Sequence, residues 1–188
     1  MEPRTIFFIG KPGSGKGTQA KILAEKTGWE IIAAGEQFRA LAAEDTALGR
    51  KVKSVIDSGV LTPSWFPMYL YLKALFSLPE DEGVIFDGFN RKVSEAELIT
   101  ESLKWFGRPF SVLYLRTGDD ELRGRLTKRK EIEGRADDRA VDKRFEEYYA
   151  NTEPTIELFQ KEGVLIEING EQTPEEVARD VEKALKLG

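Results

Sequence analysis

Four glycines, Gly10, Gly13, Gly15 and Gly17, fall within one short stretch around Lys16, with Ser14 and Thr18 interleaved. The stretch follows the apolar run Ile6-Phe7-Phe8-Ile9 and runs into a helical pattern. A loop so placed suits phosphate binding. Glycines let backbone N–H groups approach an oxyanion closely, the helix N-terminus adds its positive end, and Lys16 supplies a point charge between the outer phosphates. The chemistry implied is the holding of a nucleoside triphosphate and transfer of its phosphoryl group. The strict form of this loop places Ser or Thr directly after the lysine to touch Mg²⁺. Here Gly17 stands there and Thr18 follows. A dinucleotide-binding loop fits less well, because it lacks the lysine and wants an acid about twenty residues on, after a second strand. No Asn-Lys-x-Asp element for guanine recognition follows either.

Further chemistry-bearing residues lie downstream. Asp87-Gly88-Phe89-Asn90-Arg91 ends the apolar run Val84-Ile85-Phe86. Asp87 there can order the hydration shell of Mg²⁺ and Arg91 can grip a phosphate, although a surface Asp-Gly turn is the plainer reading. Residues 123–144 hold six arginines (Arg123, Arg125, Arg129, Arg135, Arg139 and Arg144) and three lysines against five acids, in a chain whose net charge is −5. Either a polyanionic ligand or an ordinary solvated helix face accounts for such a cluster. The overall negative charge speaks against nucleic acid as a partner.

The chain has no histidine and no cysteine. Imidazole bases, thiolate nucleophiles, disulfides and thiolate or imidazole metal sites are therefore excluded. Only a short apolar run precedes Gly10, too short for a signal peptide's apolar region or a membrane span, so a cytoplasmic protein with no membrane partner is expected.

The elements that must position these residues alternate. Five apolar runs read as buried strands: Thr5–Ile9, Trp29–Ala33, Gly83–Phe86, Phe110–Leu115 and Val164–Ile168. Helical patterns lie at Gly15–Thr27, Glu36–Ala43, Leu48–Ser58, Ser64–Phe76, Ser94–Phe106, Asp119–Lys130, Asp138–Gln160 and Thr173–Leu187. The alternation predicts one α/β domain over residues 1–188, a five-stranded parallel sheet covered on both faces with ligands beyond the carboxyl ends of its strands.

The run from Gly10 to Gln19 resembles the P-loop of adenylate kinases and other nucleoside monophosphate kinases, where Gly-Lys-Gly-Thr is habitual. The resemblance covers nearly the whole chain. Ala34-Gly35-Glu36-Gln37-Phe38-Arg39 is similar to the family's Thr-Gly-Asp-x-x-Arg, with Ala34 for Thr and Glu36 for Asp, which implies that Arg39 holds the acceptor's phosphate. Gly59-Val60-Leu61-Thr62-Pro63 resembles Gly-x-Leu-Val-Pro, placing Leu61 and Thr62 beside the acceptor base. The segment 87–91 resembles Asp-Gly-Phe-Pro-Arg with Asn90 for Pro. Arg125 and Arg129 match Arg-x-x-x-Arg, the first on the donor base and the second on its phosphates. Arg135-Ala136-Asp137-Asp138 resembles Arg-x-Asp-Asp, and Arg144 matches the arginine beyond it. Only Lys130 to Gly134 join the two arms, a short-lid form without zinc.

The resemblance implies a P-loop NTPase-type three-layer fold. Its core spans 1–33, 64–128 and 138–188, with a helical acceptor flap at about 34–63 and a short lid at about 129–137. It implies a monomer moving the γ-phosphoryl group of ATP to a nucleoside monophosphate, AMP foremost, with Mg²⁺ held by Asp87 through water. Gly13, Ser14, Gly15, Lys16, Gly17, Thr18, Arg125 and Arg129 would bind ATP. Ala34, Gly35, Arg39, Leu61, Thr62, Gly88, Arg91 and Glu95 would bind the acceptor, and Lys16, Arg91, Arg129, Arg135 and Arg144 would act on the transferred group. A phosphate acceptor is already a nucleophile, so the chemistry needs positioning and charge neutralisation rather than a base.

Two readings stay open. Glu95 stands where adenylate kinases carry a Gln that reads adenine; an ionised carboxylate only accepts, which suits guanine's N1–H and amino group better, unless the side chain points to solvent. A P-loop kinase of a hydroxyl acceptor, with Asp87 as base, and a nucleotide-binding switch without turnover are the rivals.

Overall fold

A computed structural model describes residues 4–133 and 140–187. Five strands, β1 (Thr5–Ile9), β2 (Glu30–Ala33), β3 (Val84–Asp87), β4 (Phe110–Arg116) and β5 (Leu165–Asn169), form one sheet in the order β2-β3-β1-β4-β5, parallel throughout. The α/β fold expected from the sequence is the fold observed. Central strand β1 is buried along its whole length, which is why its sequence reads as a continuous apolar run.

Alternation along β1 divides the interior in two. Phe7 and Ile9 face a core built with Met68, Tyr71 and Leu75 of α4 (Trp65–Ser77), Ala96, Ile99 and Leu103 of α5 (Val93–Trp105), and Phe159. Ile6 and Phe8 face the other side, against Ala20 and Leu23 of α1 (Lys16–Thr27) and Val177, Val181 and Leu185 of α9 (Pro174–Leu185). The chain leaves β1 for a helix on one face and leaves β3, its neighbour, for a helix on the other. The crevice beyond their carboxyl ends is thus where parallel sheets of this kind bind ligands.

Two helices, α2 (Ala34–Ala42) and α3 (Ala47–Ser58), pack on each other between β2 and α4. Helix α6 (Asp119–Glu133) follows β4. The stretch expected as one helix, Asp138–Gln160, divides over its described part into α7 (Val141–Glu147), a π turn at Tyr148–Thr152 and α8 (Glu153–Lys161). Pro154 lies in the first turn of α8 and has no N–H for Ala150's carbonyl, so the regular ladder cannot run through and the chain widens locally. Helix α9 opens with a capping box between Thr173 and Glu176. Among the described residues no helix is long and apolar enough to cross a membrane.

Candidate active site

One cavity of about 830 Å³ opens at the carboxyl ends of β1 and β3. Its floor is the loop from Gly10 to Thr18. Gly13 takes φ 85°, and a Cβ there would press to 3.0 Å on Leu126 of α6, so only glycine permits this approach of loop to helix. Helix α1 begins at Lys16 with no acid in its first turn, leaving its positive end open to an anion. The Lys16 ammonium lies along the loop, donating to the carbonyls of Gly10 and Lys11 at 2.8 Å each and reaching Ser14 Oγ at 3.4 Å.

Asp87, the last residue of β3, faces this floor. A Cβ added at Gly17 would stand 3.5 Å from Asp87 Oδ2, so the bare backbone at Gly17 keeps an open gap between the carboxylate and the start of α1. Among the described residues no three acidic, histidine or cysteine side chains converge as a metal cage. One carboxylate facing the cradle suits a divalent ion that keeps most of its waters, since Mg²⁺ is characteristically held by one carboxylate and a substrate's phosphates.

The opposite wall carries Gly35, Arg39, Leu61, Thr62, Gly88, Arg91 and Glu95. Arg91 is tied through both its backbone and its guanidinium: the backbone N–H donates to Glu95 Oε2 at 2.8 Å, the backbone carbonyl accepts from Thr152 Oγ1 at 3.0 Å, and the guanidinium Nε donates to the Gly88 carbonyl at 2.8 Å. Lys92 donates to the Thr62 carbonyl at 2.8 Å, fastening the start of α5 to the loop between α3 and α4. Across the mouth, a Cβ at Gly59 would meet Ala140 Cβ at 2.7 Å and Arg144 Cγ at 3.4 Å, so the end of α3 rests against the start of α7.

Most residues expected from the sequence meet at this cavity: Gly13, Ser14, Gly15, Lys16, Gly17, Thr18, Arg125, Asp87 and Arg144 join the acceptor-side group above. Arg125 also pairs with Glu121 at 2.8 Å, one turn back on α6. Ala34 does not line the cavity. It is 1% exposed and packed in the α4–α5 core. The side chain of Arg129 and the whole of Arg135 lie outside the described residues, as do residues 134–137 of the lid stretch and the side chains of its first five residues.

Glu95 does not point to solvent. It is 2% exposed, third in helix α5, and reaches back to cap the Arg91 N–H while lining the cavity. Burial pushes its carboxyl up from the ordinary range, against the Arg91 N–H, the Arg91 and Lys92 charges and the Ser64 hydroxyl, which hold it down. A carboxyl whose folded pKa exceeds its unfolded one costs stability where it is ionised, and the cost fades as pH falls through the folded value to the unfolded one, below which it is absent. Glu95→Gln keeps an acceptor for the Arg91 N–H without the buried charge. It is expected to melt about 2–4 °C above the parent near pH 7 and level with it near pH 4, by differential scanning calorimetry. A gap independent of pH would refute this.

Asn90 was legible only as an oddity. It takes φ 59°, a left-handed conformation open to asparagine and closed to the proline ring, and its Nδ2 is buried on the cavity wall without a partner among the described residues. Glu147, Tyr148 and Thr152 also line the cavity and escaped sequence reading, since the π turn that brings them there is itself hidden. Pro154 was the available signal.

The adenylate kinase family model matches residues 8–164. The chain belongs to the adenylate kinase family. It is 38% identical over 184 residues to the adenylate kinase of Maricaulis maris, covering 96% of this chain and 98% of that one. It is 36% identical over 187 residues to the adenylate kinase of Thermus thermophilus, covering 98% of both. Identity to the adenylate kinase of Phocaeicola vulgatus is 37% over 184 residues, 96% of this chain and 97% of that one. As a member of the adenylate kinase family the protein is an enzyme that transfers phosphoryl groups between nucleotides.

Proposed function

We propose that the protein moves the γ-phosphoryl group of Mg-ATP to AMP, giving two ADP, as a monomer in the cytoplasm. The observation that carries this reading is a single cavity in which a phosphate cradle faces a second, arginine-bearing wall, all supplied by one chain. ATP would lie on Gly13 to Thr18 with its base by Arg125 and its phosphates towards Arg129. The acceptor would sit among Gly35, Arg39, Leu61, Thr62, Gly88 and Glu95, its phosphate held by Arg39 and Arg91. Ala34 contributes only its place beneath that wall.

Transfer between two phosphates needs in-line placement, neutralised charge and exclusion of water. Lys16, Arg91, Arg129, Arg135 and Arg144 supply positive charge around the migrating group. Mg²⁺, held through water by Asp87, would add charge neutralisation on the donor's phosphates. No general base is called for, in keeping with a chain without histidine or cysteine. The flap at about 34–63 and the lid at about 129–137 would close over the reactants. A cytoplasmic setting accords with ATP as donor.

The names of the relatives support AMP as acceptor. Glu95 favours a second reading, GMP, because the oxygen not engaged by Arg91 can only accept while ionised. ADP formation at fixed ATP, measured with AMP, GMP, CMP, UMP and dTMP and with hydroxyl acceptors, tests both. Preference for AMP supports the first reading, preference for GMP the second. Turnover only with a hydroxyl acceptor would overturn both.

A further inference from the structure

Of the nine residues from Gly10 to Thr18, Lys11 alone does not line the cavity. Its ammonium turns outward, donating to Asp119 Oδ1 at 2.6 Å and lying 4.9 Å over the ring of Tyr149. The Tyr149 hydroxyl reaches both oxygens of Asp119 at 2.8 Å, closing a triangle of cation, carboxylate and phenol. Asp119 opens α6, the helix that leads into the lid stretch, and Tyr149 lies in the π turn on the returning side. Lys11's own carbonyl accepts from Lys16. A single residue therefore joins the phosphate-binding lysine, through its backbone, to both arms that carry the lid, through its side chain.

We propose that Lys11 is a positioning residue for phosphoryl transfer, registering the phosphate cradle against the two lid arms so that ATP is met by loop and lid in one fixed geometry. The proposal rests on ATP occupying the cradle. Exposed ion pairs contribute little, but the Lys11 side chain is only 15% exposed and shares a carboxylate whose second oxygen is also bound. Burial works to lower the Lys11 pKa, and Asp119 and Tyr149 more than reverse it; Lys11 in turn is the chief reason that Asp119's carboxyl sits below the ordinary range. Lys11 and Asp119 thus hold each other charged, and the Tyr149 hydroxyl keeps the carboxylate in place. Misplacing a substrate by small distances costs rate even when no contact to it is removed.

The test is Lys11→Met, which keeps the stem and removes the charge. The expected result is an ATP KM and calorimetric ATP Kd raised about fivefold to tenfold, with the acceptor KM and the melting temperature near the parent's. Lys11→Arg should restore most of the affinity, and Lys11→Met with Asp119→Asn should be no worse than either alone. Should the methionine variant not fold, Tyr149→Phe, which keeps the ring, is expected to raise the ATP Kd about twofold to threefold. An ATP Kd within twofold of the parent in Lys11→Met, equal rises for both substrates, or additive losses in the double variant would overturn the proposal. Absence of turnover in the parent would instead count against the proposed reaction, leaving the ATP Kd comparison to judge Lys11.

Discussion

Lys16→Ala is expected to lower turnover about 10²- to 10³-fold, the scale seen when one preorganised positive group is removed from a transferring centre. The ammonium sits at the open N-terminus of α1, where no acid of the first turn competes for it and backbone N–H groups converge with it on an anion. The carbonyls of Gly10 and Lys11 and the hydroxyl of Ser14 hold it at the loop in this structure. Those neutral acceptors are what a phosphate would outcompete. Loss of the side chain leaves carbonyls that water can reach, and the melting temperature should fall by little. Steady-state ADP formation together with a thermal melt decides the matter. A variant that turns over at the parent's rate would remove the cradle from the mechanism.

Arg91→Ala is expected to lower kcat about 10²-fold and to raise the acceptor KM about tenfold, with the ATP KM nearly unchanged. The backbone at Arg91 is held by Glu95 through the N–H and by Thr152 through the carbonyl, and neither bond involves the guanidinium. The substitution therefore deletes the charge on the acceptor wall, and with it the Nε bond to the Gly88 carbonyl, while the two backbone bonds that fasten the start of α5 remain. Measuring both KM values separately is the check. Equal loss for both substrates would mean that Arg91 supports the whole cavity, and no loss would place the acceptor's phosphate elsewhere.

Much of the fold was legible because its signals are local. Strand β1 announces itself as an unbroken apolar run, the glycines follow it at once, and the capping box of α9 is written in Thr173 to Glu176. Boundaries moved by a residue or two, as when β3 extended to take in Asp87 and β5 began at Leu165. What stayed hidden depends on residues distant in sequence. Ala34 looked like a wall residue from its motif, yet the turn out of β2 aims it at the core. Glu95's burial follows from α5 packing on the sheet, not from its neighbours in the chain. The triangle of Lys11, Asp119 and Tyr149 joins three segments that no sequence window contains.

Strand β1 runs without a break from a fully enclosed interior into Gly10, where a Cβ would stand 2.8 Å from the Leu115 carbonyl. Nothing elastic separates the cradle from the middle of the sheet. A loosened aromatic at Phe7 or Phe86, whose rings stack 5.0 Å apart, would therefore be felt by the nucleotide before it was felt by solubility. In this molecule the foundation and the instrument are one continuous piece of chain, so a change selected for sturdiness is also a change in calibration.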